Sequence, residues 1–170
     1  MNKDTLAGVS HGAVDAEEHV SGFSAVSVVS GASRSRYSTK NSIINMPLKP
    51  ITSDRLAKPV GPFSPAVRDG DRVYTSGQVA QDPATGKLIE GSVAAQTEQI
   101  FQNLKVILEA ADKTLADVVK VNVYLIDIKR FTEMNEVYAR HFVAPYPART
   151  TVAVAALPLN AEVEIEMIAS

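Results

Sequence analysis

Two sets of side chains near the C-terminus are suited to anion binding or to acid–base chemistry. Arg149 stands alone in PYPARTTVAV, at the entry to a predicted strand of small and β-branched residues. A guanidinium can bind a carboxylate through two parallel charge-assisted hydrogen bonds, although many arginines only form surface salt bridges. Glu162, Glu164 and Glu166 alternate with apolar residues and therefore share one face of the last predicted strand. Such a row of like charges indicates either a solvent-exposed face or a site that uses carboxylates.

Two further polar signals are weaker. Asn135 follows Phe131 by four residues, so its amide lies on the apolar stripe of a predicted helix. It either forms a hydrogen bond beside the helix or points into a pocket. The segment Thr75-Ser76-Gly77-Gln78 ends a predicted strand, where the glycine is also compatible with a simple β-bulge.

The composition excludes several classes of protein. The chain has 170 residues, a net charge of −2 and no cysteine. A disulfide scaffold, a thiolate zinc site and a cysteine nucleophile are therefore excluded, and the charge favours neither nucleic acid nor an anionic membrane as the main partner. The three histidines are far apart and the apolar runs are short, so we expect no metal site and no membrane-spanning helix. These features predict a cytoplasmic protein.

The composition changes near residue 46. Nine of the 14 serines lie in residues 1–45, whereas all nine prolines lie beyond them. Residues 1–50 lack a sustained helical or alternating pattern, which predicts a disordered N-terminal extension followed by one domain over residues 51–170. A transit peptide is the alternative, since residues 20–45 are rich in serine and contain Arg34, Arg36 and Lys40, but acidic residues precede them.

The elements needed to position the candidate residues follow from periodicity. The pattern predicts an α+β fold of order β-β-α-β-α-β-β, with two helices packed on one face of a mixed sheet. The predicted elements are a hairpin turning at Asp69-Gly70-Asp71, a helix from Ser92 to about residue 111, a strand over 118–126, a helix over 129–142 capped by Asp127, and strands over 150–157 and 162–169. On the strand 118–126, one predicted face consists of Val119, Val121, Val123 and Leu125.

The second face of this sheet needs its own cover. The strands carry apolar or small residues on both sides, and the chain has no further elements to bury the second side. We therefore expect a closed symmetric oligomer, with a different partner protein as the alternative.

Five motifs in register resemble the RidA/YjgF reactive-intermediate deaminases. The matching segments are Gly61-Pro62-Phe63-Ser64-Pro65-Ala66-Val67, Tyr74-Thr75-Ser76-Gly77-Gln78, Asn135-Glu136-Val137-Tyr138, Pro147-Ala148-Arg149-Thr150 and Val163-Glu164-Ile165-Glu166. The resemblance spans roughly residues 55–169. No single motif is decisive, but five in the family's order and spacing are highly specific.

The resemblance implies a chorismate-mutase-like homotrimer with sites at its subunit interfaces. It also implies hydrolysis of small 2-imino and 2-enamino acids to 2-oxo acids and ammonia, without a cofactor or a metal. Arg149 matches the arginine that binds the substrate carboxylate, and Glu164 matches the glutamate that holds the attacking water. The matching substrate-binding positions are Phe63, Ser76, Gly77, Asn135 and Thr151.

Two positions depart from the family pattern. Phe63 stands where the archetypal deaminases usually have tyrosine, and Thr151 replaces a cysteine found in some members. Losing the tyrosine hydroxyl removes a hydrogen-bond donor, which favours a second hypothesis: a ligand-sensing or regulatory trimer without turnover. A third, an RNA-cleaving translation inhibitor, is also associated with the family, but the acidic balance of this chain argues against it.

Overall fold

The computed structural model describes residues 48–170. The transit-peptide prediction for residues 20–45 lies outside the described residues, as does the predicted disordered extension 1–50 except for its last three residues. The elements are β1 (Lys49–Ile51), β2 (Ala66–Asp69), β3 (Arg72–Thr75), α1 (Val93–Glu109), β4 (Val118–Leu125), α2 (Phe131–His141), β5 (Ala148–Ala153) and β6 (Val163–Ala169), with short 3₁₀ turns over Leu115–Asp117, Ile128–Arg130 and Pro158–Asn160. The predicted domain boundary at residue 51 falls inside β1, which pairs with β2.

The six strands form one mixed sheet in the order β1-β2-β3-β6-β4-β5. Strands β4 and β5 are parallel, and α2 provides the crossover between them, whereas the other pairs are antiparallel. The predicted α+β class with two helices on a mixed sheet is confirmed. Strand β5 is an edge of the sheet, so the residues of this strand lie at the rim of the described domain.

Local signals explain where the elements begin and turn. The β2–β3 hairpin turns at Gly70, whose φ of 59° lies in the left-handed region that glycine adopts without strain. Ser92 caps α1 as predicted, because its hydroxyl accepts a hydrogen bond from the Ala95 amide. Asp127 caps the 3₁₀ turn Ile128–Arg130 rather than α2 itself, so α2 begins two residues later than predicted.

The core lies between the helices and one face of the sheet. Val121, Val123 and Leu125 on β4 are fully buried against the apolar face of α1, which includes Ile100 and Leu104. The alternating residues of β6 complete this face, as Val163, Ile165 and Met167 are also buried. This burial provides the main driving force that holds the helices on the sheet.

The predicted face of β4 is wrong at its first residue. Val119 is 48% exposed, whereas Val118 is buried. The cause is a register irregularity, since Val118 pairs with Ala169 but the next paired residue, Lys120, already pairs with Ile168. The extra residue in β4 reverses the alternation at that point, as a β-bulge does.

The second face of the sheet is more polar than predicted. On β4 and β6 it carries Lys120, Asn122, Tyr124, Glu164 and Glu166. Val152 and Ile168 add only a minority of apolar side chains. Burial of an apolar face alone therefore does not decide whether the protein is an oligomer, and the site provides a separate argument.

Candidate functional site

Arg149 lies on the helix-side face of β5, where it pairs with Val121 of β4. Its Nη1 donates a hydrogen bond of 2.9 Å to Oδ1 of Asn135, on α2. Its guanidinium carbon lies 4.3 Å from the centroid of the Tyr138 ring and 5.5 Å from that of Phe131, which is the geometry of a cation–π contact. The charged end of Arg149 is thus held by one face of α2.

A groove of about 360 Å³ opens beside this arginine. Its lining residues are Asn135, Tyr138, Ala139, Tyr146, Pro147 and Arg149. Most of this wall is aromatic or apolar, and the guanidinium supplies a positive charge within it. The groove therefore suits a small anion that also carries an apolar part.

Two hydroxyl groups near Arg149 have no hydrogen-bond partner among residues 48–170. They are Tyr138 OH and Thr151 Oγ1, and both are buried. Thr151 follows Arg149 by two residues on β5 and pairs with Val123, so both side chains are on the helix-side face. We call Asn135, Tyr138, Arg149 and Thr151 the arginine half-site.

Glu164 lies on the opposite face of the sheet, next to Gly77. Backbone hydrogen bonds between Gln78 and Ile165 (2.9 and 3.0 Å) hold the segment after β3 against β6. A Cβ atom on Gly77 would overlap Oε1 of Glu164 and would lie 2.7 Å from its Cδ. Glycine at position 77 therefore leaves room for the Glu164 carboxylate, which a larger residue would displace.

Ser76 precedes Gly77 in the chain, and its hydrogen bonds connect it to the loop that carries Phe63. The Ser76 hydroxyl donates a 2.7 Å hydrogen bond to the Ser64 carbonyl oxygen, and the Ser76 amide donates to the Pro65 carbonyl oxygen. The loop that carries Phe63 is thereby tied to the end of β3. Phe63 is half-exposed and lines a small cleft together with Gly77. We call Phe63, Ser76, Gly77 and Glu164 the glutamate half-site.

The two carboxylates of β6 have different surroundings. Glu166 accepts hydrogen bonds from Asn122 Nδ2 (2.8 Å) and from the Tyr124 hydroxyl (2.9 Å). No donor among residues 48–170 forms a hydrogen bond with the Glu164 carboxylate. Burial raises the pKa of Glu164, and the charge of Glu166 raises it further. Glu164 is therefore the carboxylate better suited to exchange a proton.

The seven predicted site residues fall into two groups that one chain does not bring together. Arg149 pairs with Val121 on the helix side of the sheet, whereas Glu164 pairs with Tyr124 on the other side. Within a single chain, a small molecule bound to Arg149 cannot contact Glu164 through the sheet. Asn135 and Thr151 belong with Arg149, and Phe63, Ser76 and Gly77 belong with Glu164.

Tyr138 and Tyr146 are the residues that sequence reasoning did not assign to the site. Tyr138 occurs in one of the matching motifs without an assigned role; the structure buries it, and its ring contacts the guanidinium. Its spacing on α2 was an available signal, since Phe131, Asn135 and Tyr138 repeat at helical intervals and so face the same neighbour. Tyr146 precedes Arg149 in a loop without such a pattern.

The described residues offer no other obvious chemistry. Within residues 48–170, no group of three or more histidine, aspartate or glutamate side chains is arranged to hold a metal ion. No helix in this part of the chain is long and apolar enough to cross a membrane.

The fold and the two half-sites define a small α+β domain that presents a cation in a groove and a separate carboxylate of raised pKa. Comparisons with known proteins agree with this description. The family model described as Endoribonuclease L-PSP matches residues 52–170. The chain therefore belongs to this family, which is the RidA/YjgF family.

Individual relatives are similar over nearly the whole matched domain. A RutC family protein of Pyrococcus horikoshii is 45% identical over 119 residues, covering 70% of this chain and 94% of the relative. A 2-iminobutanoate/2-iminopropanoate deaminase of Dermatophagoides farinae is 41% identical over 126 residues, covering 74% of this chain and 93% of the relative. The crystal structure of RidA from an Antarctic Psychrobacter is 49% identical with a TM-score of 0.69, covering 71% of this chain and 98% of that one.

Proposed function

We propose that this protein hydrolyses small 2-imino and 2-enamino acids to 2-oxo acids and ammonia. The observation that carries the proposal is the arginine half-site, where Arg149 presents a held guanidinium to an otherwise apolar groove. A 2-imino acid has a planar carboxylate that matches the guanidinium fork, and a short apolar side chain that suits the groove wall. The name of the Dermatophagoides farinae relative supports the same reaction.

In the proposed mechanism, Glu164 orients a water molecule and moves its protons. The water oxygen adds to the imine carbon, and Glu164 accepts one water proton. The tetrahedral carbinolamine then takes that proton from Glu164 onto its nitrogen, and ammonia leaves as the C=O double bond forms. The hydroxyl proton passes back to Glu164 and from there to the departing ammonia, which restores the carboxylate. A protonated imine is already electrophilic, so orientation and proton transfer are sufficient, and this scheme uses neither a metal nor a cofactor.

The raised pKa of Glu164 suits this role, because a carboxylate that ionises at higher pH is a stronger base. The Ser76 hydroxyl donates its own proton to Ser64, so toward a substrate it can only accept a hydrogen bond, for example from the imine nitrogen. Thr151 Oγ1 is buried beside Arg149 without a partner and can donate to the bound carboxylate. Phe63 provides an apolar contact.

Arg149 and Glu164 lie on opposite faces of one sheet, so the complete site requires a second copy of the chain. We propose a chorismate-mutase-like homotrimer in which the arginine half-site of one copy meets the glutamate half-site of the next. The position of β5 at the sheet edge supports this arrangement, since Arg149 is then at a rim that a neighbour can approach. We propose a cytoplasmic location for the trimer.

The decisive experiment is an assay with 2-iminobutanoate, generated in situ from threonine by a dehydratase. We expect the protein to accelerate the loss of the imine, and Arg149→Lys to reduce kcat/KM by at least about tenfold, because lysine keeps the charge but not the bidentate geometry. No acceleration by the native protein would reject the deaminase.

The observation that favours the non-catalytic alternative is Phe63, which lacks the tyrosine hydroxyl of the archetypal deaminases. A regulatory trimer would bind 2-oxobutanoate, the carboxylate product, yet would not accelerate imine loss. Phe63→Tyr is the informative variant here, since it restores the hydroxyl at a half-exposed position. Appearance of activity only in this variant would favour the regulatory function for the native chain.

A further inference from the structure

The arginine half-site contains a residue whose contact with Arg149 the proposed reaction does not yet use. The Tyr138 ring lies under the guanidinium, with the Arg149 Cζ atom 4.3 Å from the ring centroid. Tyr138 is only 5% exposed, and its hydroxyl has no hydrogen-bond partner among the described residues. The ring face contacts the cation, and the hydroxyl is close enough to Arg149 for the guanidinium to oppose the rise in the Tyr138 pKa that burial causes.

The position of the ring is set by an aromatic cluster. Tyr138 packs edge-on against Phe101 of α1, with 5.9 Å between ring centroids, and in a tilted arrangement against Phe142, with 4.8 Å between centroids. Phe142 also packs edge-on against Phe101 at 5.8 Å. Because three rings from two parts of the fold restrain one another, Tyr138 is a rigid platform for the arginine.

Asn135 restrains the same guanidinium in a second direction. Its Oδ1 accepts the hydrogen bond from Nη1, whereas Tyr138 covers a face of the guanidinium plane. The Nε and Nη2 groups lie outside that hydrogen bond, and a carboxylate needs two parallel donors of this kind. A flexible arginine would lose conformational entropy on binding, and a guanidinium already held in place avoids most of that cost.

We propose that Tyr138 is a positioning residue, which orients Arg149 for a carboxylate ligand through its aromatic face. Asn135 acts in the same way through its amide oxygen. This inference rests on the proposed role of Arg149 as the carboxylate-binding residue, but it does not require that the bound carboxylate belongs to an imine.

The test measures the binding of 2-oxobutanoate to the intact protein by titration calorimetry. Tyr138→Leu removes the ring and should weaken binding about fivefold or more, the size expected for a shielded cation–π contact. Tyr138→Phe keeps the ring, so its Kd should stay within about twofold of the native value. Phe142→Leu is the matched control, because it perturbs the same aromatic cluster but keeps the ring that contacts Arg149, so it should lower the melting temperature and weaken binding clearly less than Tyr138→Leu does.

A second series keeps the shape of the ring and so remains informative if Tyr138→Leu does not fold. The series starts from Tyr138→Phe and replaces this phenylalanine by analogues with one, two or three ring fluorines. The fluorines withdraw electron density from the aromatic face. The Kd for 2-oxobutanoate should rise with each fluorine if the face attracts the guanidinium. A Kd that is independent of fluorination, or a Phe142→Leu variant as weak as Tyr138→Leu, would overturn the proposal.

These measurements also separate this inference from the proposed function. Binding of 2-oxobutanoate that depends on the ring, without any imine hydrolysis, would support the positioning role and reject the deaminase. Imine hydrolysis by the native protein, with the same 2-oxobutanoate affinity and KM in Tyr138→Leu, would support the deaminase and reject the positioning role. A native protein that fails to bind 2-oxobutanoate would reject the positioning role directly.

Discussion

Glu164 and Glu166 are two residues apart on the same strand face, but the structure separates their roles. Glu166 receives two hydrogen bonds, from Asn122 and Tyr124, whereas the half-buried Glu164 lies against Gly77. Partial burial without hydrogen-bond donors favours the neutral form of a carboxylate, and the pKa of Glu164 is raised for this reason. The residue that resembles the family's glutamate is thus also the one whose surroundings allow proton exchange.

The first prediction compares the two glutamates. Glu164→Gln keeps the shape of the side chain but cannot accept a proton, so kcat should fall at least about tenfold. Glu166→Gln should remain active. Because the charge of Glu166 contributes to the raised pKa of Glu164, its removal should shift the acidic limb of the pH–rate profile to lower pH. Steady-state kinetics from pH 4 to 8 measure both effects, with pH values chosen to cover the carboxylate range.

The sign of this shift follows from the base function. Glu164 must be ionised to accept a proton, so activity is lost as the pH falls through its pKa, and a lower pKa moves that loss to lower pH. A dead Glu166→Gln and an active Glu164→Gln would place the catalytic position two residues further along β6.

The second prediction concerns Gly77. Gly77→Ala places a methyl group where the Glu164 carboxylate lies, so the carboxylate must move. We expect at least about a tenfold loss of kcat, because a displaced base is poorly aligned with its water. Binding of 2-oxobutanoate at Arg149 should change much less.

Gly86→Ala is a control for the cost of replacing a glycine, since no atom lies near that position and its effect is limited to backbone strain at a φ of 69°. Equal activity of Gly77→Ala and native protein would show that the carboxylate position is unimportant.

At the scale of elements, His141 joins the two helices near the arginine half-site. Its ring stacks on Phe101 of α1 at 4.1 Å, and its Nε2 lies 3.1 Å from the Glu98 carboxylate. Burial lowers the pKa of His141, nearby Lys105 and Arg140 lower it as well, and Glu98 opposes the change. The folded protein therefore prefers a neutral imidazole in this contact between α1 and α2.

The third prediction follows from this preference. As the pH falls below 6.5, the ordinary pKa of histidine, His141 binds a proton more readily in the unfolded chain than in the folded one. The melting temperature should therefore decrease between about pH 7 and pH 5, and His141→Gln should give a flatter dependence over that range. The pKa of Glu98 is lowered from 4.5, so the contribution of its carboxylate to stability is lost only at more acidic pH. Parallel curves for native protein and variant would contradict this role for His141.

At the scale of the whole molecule, the opposite placement of the two half-sites makes a specific prediction about assembly. A mixture of Arg149→Ala and Glu164→Gln chains, each inactive alone, should recover activity when the subunits are reassembled together. In a randomly mixed trimer about one quarter of the interfaces combine a native Arg149 with a native Glu164. Each variant reassembled alone is the control. Activity that stays at the level of the single variants would show that one chain supplies both residues.

The fifth prediction concerns the N-terminal segment. The described sheet begins at Lys49 and the family match begins at residue 52. We therefore expect deletion of residues 1–45 to leave the melting temperature within about 2 °C and kcat/KM within about twofold. Differential scanning calorimetry and the imine assay provide the comparison. A large loss in either would show that the segment contributes to the domain.

The sequence by itself determined the local elements and the family. The alternation of β6, the Ser92 cap of α1 and the turn at Gly70 are patterns within a few residues, and local backbone preferences are sufficient to specify them. The motifs around Phe63, Arg149 and Glu164 were also sufficient to indicate the RidA/YjgF resemblance, which the family match confirms.

Only the tertiary structure decided how these residues meet. The exposure of Val119 depends on its register against β6, more than 40 residues away, and local alternation contains no information about that bulge. Tyr138 is distinguished from other inward-facing residues of α2 only because β5 carries Arg149 over its ring. The separation of Arg149 from Glu164 depends on which strand each pairs with, since a one-residue difference in pairing moves a side chain to the other face of a sheet.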